Sequence, residues 1–67
     1  MKKVLKLSEW KRQLDLAIAR KLFDEAHQAD KWIDIADKFG VTVMAVWNRR
    51  KRGEIYFKKI FAEEMQK

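Results

Sequence analysis

Sixty-seven residues with no cysteine and a single histidine, His27, supply neither a disulfide framework nor a zinc site, so a fold of this size rests on close packing or on association. An apolar content of 48%, including three Trp, four Phe and one Tyr, argues against disorder, and two glycines with no proline argue against the many turns of an all-β chain. The net charge of +6 is uneven: residues 1–12 carry +4 and residues 42–59 carry +5, whereas residues 13–41 carry −2. Such a field suits a polyanionic partner, or else keeps one face basic for solubility. No apolar run has the length of a membrane span or of a signal peptide, and the expectation is a single cytoplasmic domain away from the membrane. Catalysis is not expected, because a Gly-rich phosphate loop is missing and Ser8, Thr42 and Tyr56 are the only hydroxyl side chains. No metal or other cofactor is expected either.

In chain order, residues 1–7 form a basic leader that alternates Lys2, Lys3 and Lys6 with Val4, Leu5 and Leu7, as a frayed arm or an edge strand. Ser8 is a suitable N-cap, with Glu9 in the first turn where a carboxylate favours the helix dipole. Trp10, Leu14, Ala17, Ile18, Leu22 and Ala26 then recur at helical spacing, which predicts a first helix over 8–27 with His27 capping its end. Asp30 is the expected cap of a second helix over 30–39, with Trp32, Ile33, Ile35, Ala36 and Phe39 on its buried side. Trp10 and Trp32 read as core residues.

Gly40 stands where a left-handed residue ends a helix, and Thr42 caps a third helix over 42–52 that Gly53 closes. Tyr56/Ile60, Phe57/Phe61 and Phe61/Met65 pairs at i,i+4 predict a fourth helix over 54–66, with a short hairpin wing through 55–59 as the alternative. Asp34/Asp37 and Glu63/Glu64 read as solvated carboxylates. The fold class is therefore all-α, a bundle of three or four helices.

Within 32–53, two helices meet at a turn of about three residues that contains a glycine, the spacing of a helix-turn-helix. Ala36 is small where the helices cross, Gly40 permits the reversal, Val41 fills the gap, Thr42 caps and Val46 returns to the core. This Ala-x-x-x-Gly-Val-Thr-x-x-x-Val pattern resembles the helix-turn-helix of phage and bacterial repressors, and Gly53-Glu54-Ile55 after the basic run 49–52 resembles the exit of phage-repressor-type domains. The resemblance covers about a third of the chain. It departs from the pattern at Arg49, where relatives often carry an apolar residue, and at Tyr56, where they often carry proline.

The resemblance implies a small transcriptional regulator of phage or mobile-element type, a repressor that reads double-stranded DNA with its third helix in the major groove. On that reading Thr42, Val43, Met44, Trp47, Asn48 and Lys51 face base edges, with Asn48 suited to adenine, Lys51 to guanine, and Val43 and Met44 to thymine methyls. Lys31, Arg49, Arg50 and Arg52 are the expected phosphate contacts. Trp47 has a second expected place, packed on the fourth helix through Ile55 or Phe57. One such domain reads few base pairs, so a homodimer is expected, through the first helix or through Tyr56, Phe57 and Phe61. A different role also fits: Val43, Met44 and Trp47 pointing outward together suit a protein partner, on a scaffold used as an anti-repressor or inhibitor.

Overall fold

A computed structural model describes the backbone of residues 7–66 and the side chains of residues 8–66. Lys2, Lys3 and Lys6 of the basic leader lie outside the described residues. Four α-helices follow one another: α1 (Leu7–Phe23), α2 (Trp32–Phe39), α3 (Val43–Arg50) and α4 (Glu54–Met65), with a single turn of 3-10 helix (Glu25–His27) between the first two. The chain is all-α, and the described residues include no strand. No described helix is long and apolar enough to cross a membrane.

The apolar spacing places the helices, and local polar chemistry decides where several of them end. The first helix stops at Phe23 rather than at residue 27. There the Asp24 carboxylate accepts a hydrogen bond from the Ala26 N–H at 3.1 Å, which offers the backbone an alternative to the next helical turn. Ser8 lies inside the first turn of α1, one residue beyond Leu7, instead of at the cap. The second helix begins after Lys31, not after Asp30. The Asp30 carboxylate is engaged 3.0 Å from His27 Nδ1, and Lys31 occupies the cap position without a side-chain bond. His27 thus closes the 3-10 turn between Asp24 and Asp30.

Gly40 has φ +69° and ψ +30°, and two backbone bonds finish α2 there. Gly40 N–H donates to the Asp37 carbonyl at 3.2 Å and Val41 N–H to the Ala36 carbonyl at 3.0 Å. Two residues later Thr42 Oγ1 accepts from the Ala45 N–H at 3.2 Å and starts α3. The helical segment is Val43–Arg50, with Lys51 as its cap, shorter than the predicted 42–52. Gly53, at φ +100°, joins two elements: its N–H donates to the Arg50 carbonyl, and its own carbonyl accepts from Phe57 N–H in the first turn of α4. The segment after it is a helix, not a wing.

Leu14, Ile18 and Ala19 from α1, Ile35 and Ala36 from α2, Val46 from α3 and Phe57 from α4 form one buried core. The main packing pairs are α1 against α4 and α2 against α3, and α1 also touches α2 and α3. Trp10 meets the edge of Phe39 with ring centroids 6.3 Å apart, and Phe23 packs 6.1 Å from Phe61. Trp10 and Trp32 are half-buried at the border of the core. Ile33, expected inside, is half exposed. It sits roughly 100° round the helix from Trp32, outside the arc that Trp32, Ile35, Ala36 and Phe39 share.

Candidate nucleic-acid interface

The geometry of α3 follows from which of its residues the core takes. Val46 is fully buried, and Ala45 and Val43 are half-buried against their neighbours. At about 100° per residue, Met44, Trp47, Asn48 and Lys51 then fall within about 100° of arc on the opposite side. All four are exposed there, Met44 at 57% and Trp47 at 46%. Trp47 lies on this open face and lines a shallow depression with Arg50 and Lys51. Ile55, one of its expected partners on the fourth helix, is itself 88% exposed, and Phe57, the other, is fully buried.

Thr42 is exposed at the entry to this face, but its oxygen already accepts the capping bond from Ala45. Its hydroxyl proton and one lone pair are left for another group. Val43 sits at the border of the face and packs against the core.

The cations divide into two sets. Arg50 is exposed and holds its guanidinium 5.3 Å from the centroid of Trp32, on which Lys21 also rests at 5.1 Å. Trp32 therefore ties the end of α3 to the start of α2, where Lys31 is exposed. Arg52 is exposed and lies 5.4 Å from the ring of Tyr56. Lys31, Arg50 and Arg52 are thus exposed cations at element ends, two of them held by aromatic rings, and Arg50 borders Trp47 and Lys51 on the outward face of α3.

Arg49, expected on a phosphate, is instead paired within the bundle in this structure. Its Nε donates to Asp15 Oδ1 at 2.7 Å and its Nη2 donates to Asp15 Oδ2 at 2.9 Å, a bidentate pair directed into the bundle. Tyr56 Oη donates to the same Oδ2 at 2.6 Å. Asp15 is 1% exposed, and no buried side-chain nitrogen or oxygen among the described residues lacks a partner. The bond to Asp15 raises the Arg49 pKa above its ordinary value, and the bond to Asp15 followed by burial raises that of Tyr56.

This cluster joins α1, α3 and α4 at one carboxylate, and sequence reasoning passed it over. A signal was present: Asp15 lies between Leu14 and Leu16, and Ile18 and Ala19, one turn on, are both fully buried. A charge on that stripe demands a partner, and the apolar residue missing at position 49 is where the partner stands.

Phe57 is also spent internally, so the aromatic dimer surface of Tyr56, Phe57 and Phe61 is not available as expected. Phe57 is fully buried, Tyr56 donates to Asp15, and Phe61 packs on Phe23. No protein-family model, curated protein or solved structure matches this chain.

Proposed function

We propose that the protein binds double-stranded DNA, with α2 and α3 acting as a helix-turn-helix and the outward face of α3 reading bases in the major groove. The observation that carries this reading is the make-up of that face. One arc of α3 presents an amide, an ammonium and two apolar side chains, Asn48, Lys51, Met44 and Trp47, and Lys31, Arg50 and Arg52 are exposed cations at element ends. Asn48 suits the N6/N7 edge of adenine, Lys51 suits guanine acceptors, and Met44 suits a thymine methyl. These three cations suit phosphates, which fix register without reading sequence. The left-handed Gly40 and the Thr42 cap, three residues between helices, support the same architecture. Two copies would supply the affinity that one short helix cannot, and a small regulator that occupies a promoter is the biological role in keeping with this arrangement.

Selection from random duplexes at about physiological salt, followed by anisotropy titration, tests the reading. An enriched motif is expected, and Asn48→Ala with Lys51→Ala should relax preference at particular positions by about 1–3 kcal/mol each. Binding without enrichment would reduce the role to sequence-independent coating, and an absence of binding would remove DNA as the partner.

The exposure of Met44 and Trp47 side by side favours a second reading, in which the same face docks on a protein. In that case Trp47→Ala and Met44→Ala abolish binding while Arg50→Ala is mild, the reverse of what a duplex partner predicts.

A further inference from the structure

Among the described residues, no other element packs its apolar side chains on the face of α4 turned away from the core, and Arg12 alone approaches it, 4.0 Å from Glu63. Phe57 and Ile60 are buried and Phe61 and Glu64 are half-buried on one side of the helix, leaving Ile55, Lys58, Lys59, Ala62, Glu63, Met65 and Gln66 exposed on the other. Ile55 is 88% exposed and Met65 is 68% exposed, near opposite ends of the helix. At about 100° per residue, Ile55, Lys59, Ala62 and Gln66 fall within roughly 60° of arc, with Met65 beside them on one flank and Glu63 on the other.

This face is complementary to itself when reversed. It carries lysines at 58 and 59, a small residue at 62 and a carboxylate at 63, with one large apolar side chain towards each end. In two copies laid antiparallel about a point near position 61, Lys59 of each faces Glu63 of the other. Ala62 then lies at the crossing, where a small side chain lets the helices approach. Ile55 of one copy reaches Met65 of the other. Every contact occurs twice, as a two-fold interface requires. Glu63 lies 4.0 Å from Arg12 within its own chain, at the outer limit of an ion pair, which leaves its carboxylate open to a closer lysine.

We propose that the outward face of α4 is a homodimer surface, occupied by α4 of a second copy in antiparallel orientation. It gives a surface to the dimer invoked above, yet it stands on α4 alone. Twelve residues of helix are about 18 Å long, and a pair of them buries less than the roughly 1,200–2,000 Å² of a stable interface. The free dimer is therefore weak, and it becomes dominant where two copies share one ligand and raise each other's effective concentration.

Sedimentation equilibrium of the full chain without DNA, from micromolar to millimolar concentration, tests this directly. A reversible monomer–dimer equilibrium is expected, with Ile55→Lys raising the dissociation constant at least about tenfold. The dilute protein should stay folded, since Ile55 is 88% exposed and a lysine in the first turn of α4 costs at most about 1 kcal/mol against the helix dipole. Lys59→Glu and Glu63→Lys should each weaken the dimer, and the two together should restore it. Orientation is read by single cysteines, which this cysteine-free chain permits. Ala62→Cys should oxidise to a linked dimer, whereas Ile55→Cys should not, because the two copies of position 55 lie about 18 Å apart along the antiparallel axis. A monomer up to millimolar concentration, a dimer indifferent to Ile55→Lys, or efficient linkage through position 55 would overturn the proposal. Because no DNA is present, each of those results leaves the duplex-binding reading to its own test.

Discussion

A single carboxylate, Asp15, holds three helices together. It is 1% exposed and accepts two bonds from Arg49 and one from Tyr56. Replacing either end of such a pair is not symmetrical. Arg49→Met leaves a buried carboxylate with only the Tyr56 hydroxyl, and a loss of about 3–5 kcal/mol is expected. A domain of this length has a total stability of that order, so the variant should be largely unfolded in urea titrations that leave the parent folded. Asp15→Leu combined with Arg49→Met removes both charges and should recover most of the loss, because well-packed apolar replacements of buried pairs are often neutral. If the double variant is no more stable than Arg49→Met, the pair does more than neutralise itself.

Tyr56 makes the same cluster visible in pH. Its pKa is raised, first by the bond it donates to Asp15 and then by burial, so the folded state holds the phenolic proton more tightly than the unfolded chain does. The stability this contributes is fully present below the unfolded value of about 10 and is lost as pH rises through the higher folded value. Tyr56 is the only tyrosine, so phenolate absorbance reports it alone. The expected outcome is a titration displaced upward in the native protein and a stability that declines above about pH 10, with Tyr56→Phe removing that part of the decline.

At the scale of elements, the turn between α2 and α3 fixes where α3 begins and ends its exposed arc. Gly40 has φ +69°, and a Cβ placed there would meet nothing within 4 Å, so Gly40→Ala costs backbone strain alone. About 1–2 kcal/mol is expected from urea midpoints, and Thr42→Ala should cost about 1 kcal/mol through the lost cap. This turn was legible in the residues because glycine and threonine each have one strong local reason to be where they are. The limits of α1 and α2 were less legible, for an equally local reason. Asp24, His27 and Asp30 bond to one another or to nearby N–H groups, and that competition between polar side chains leaves no mark on the apolar spacing. Periodicity carried α1 on to Ala26, which is exposed. Spacing leaves Trp47 between this face and the fourth helix, whereas the outward placement of Met44, Asn48 and Lys51 was legible, since helical spacing alone decides it once Val46 is inside. The inward turn of Arg49 was not, because its cause lies 34 residues away on α1.

At the scale of the whole molecule, the uneven charge becomes a measurable slope only after the inward cation is discounted. If Lys31, Arg50 and Arg52 neutralise phosphates, each protomer releases the counterions of three, and log Kobs should fall against log salt with a slope of about −2.7 per protomer bound. A homodimer on one site would double that to about −5. Arg50→Ala should flatten the slope by about one per protomer and weaken all duplexes alike. Arg49 separates local structure from net charge in the same experiment. Its guanidinium is committed to Asp15, so the folded Asp15→Leu, Arg49→Met double variant should keep the parent slope although it has lost an arginine from the most basic stretch of the chain. A slope that instead flattens by one in that variant would place Arg49 on the duplex. It would then follow that α3 turns on binding, exchanging its buried carboxylate for a phosphate.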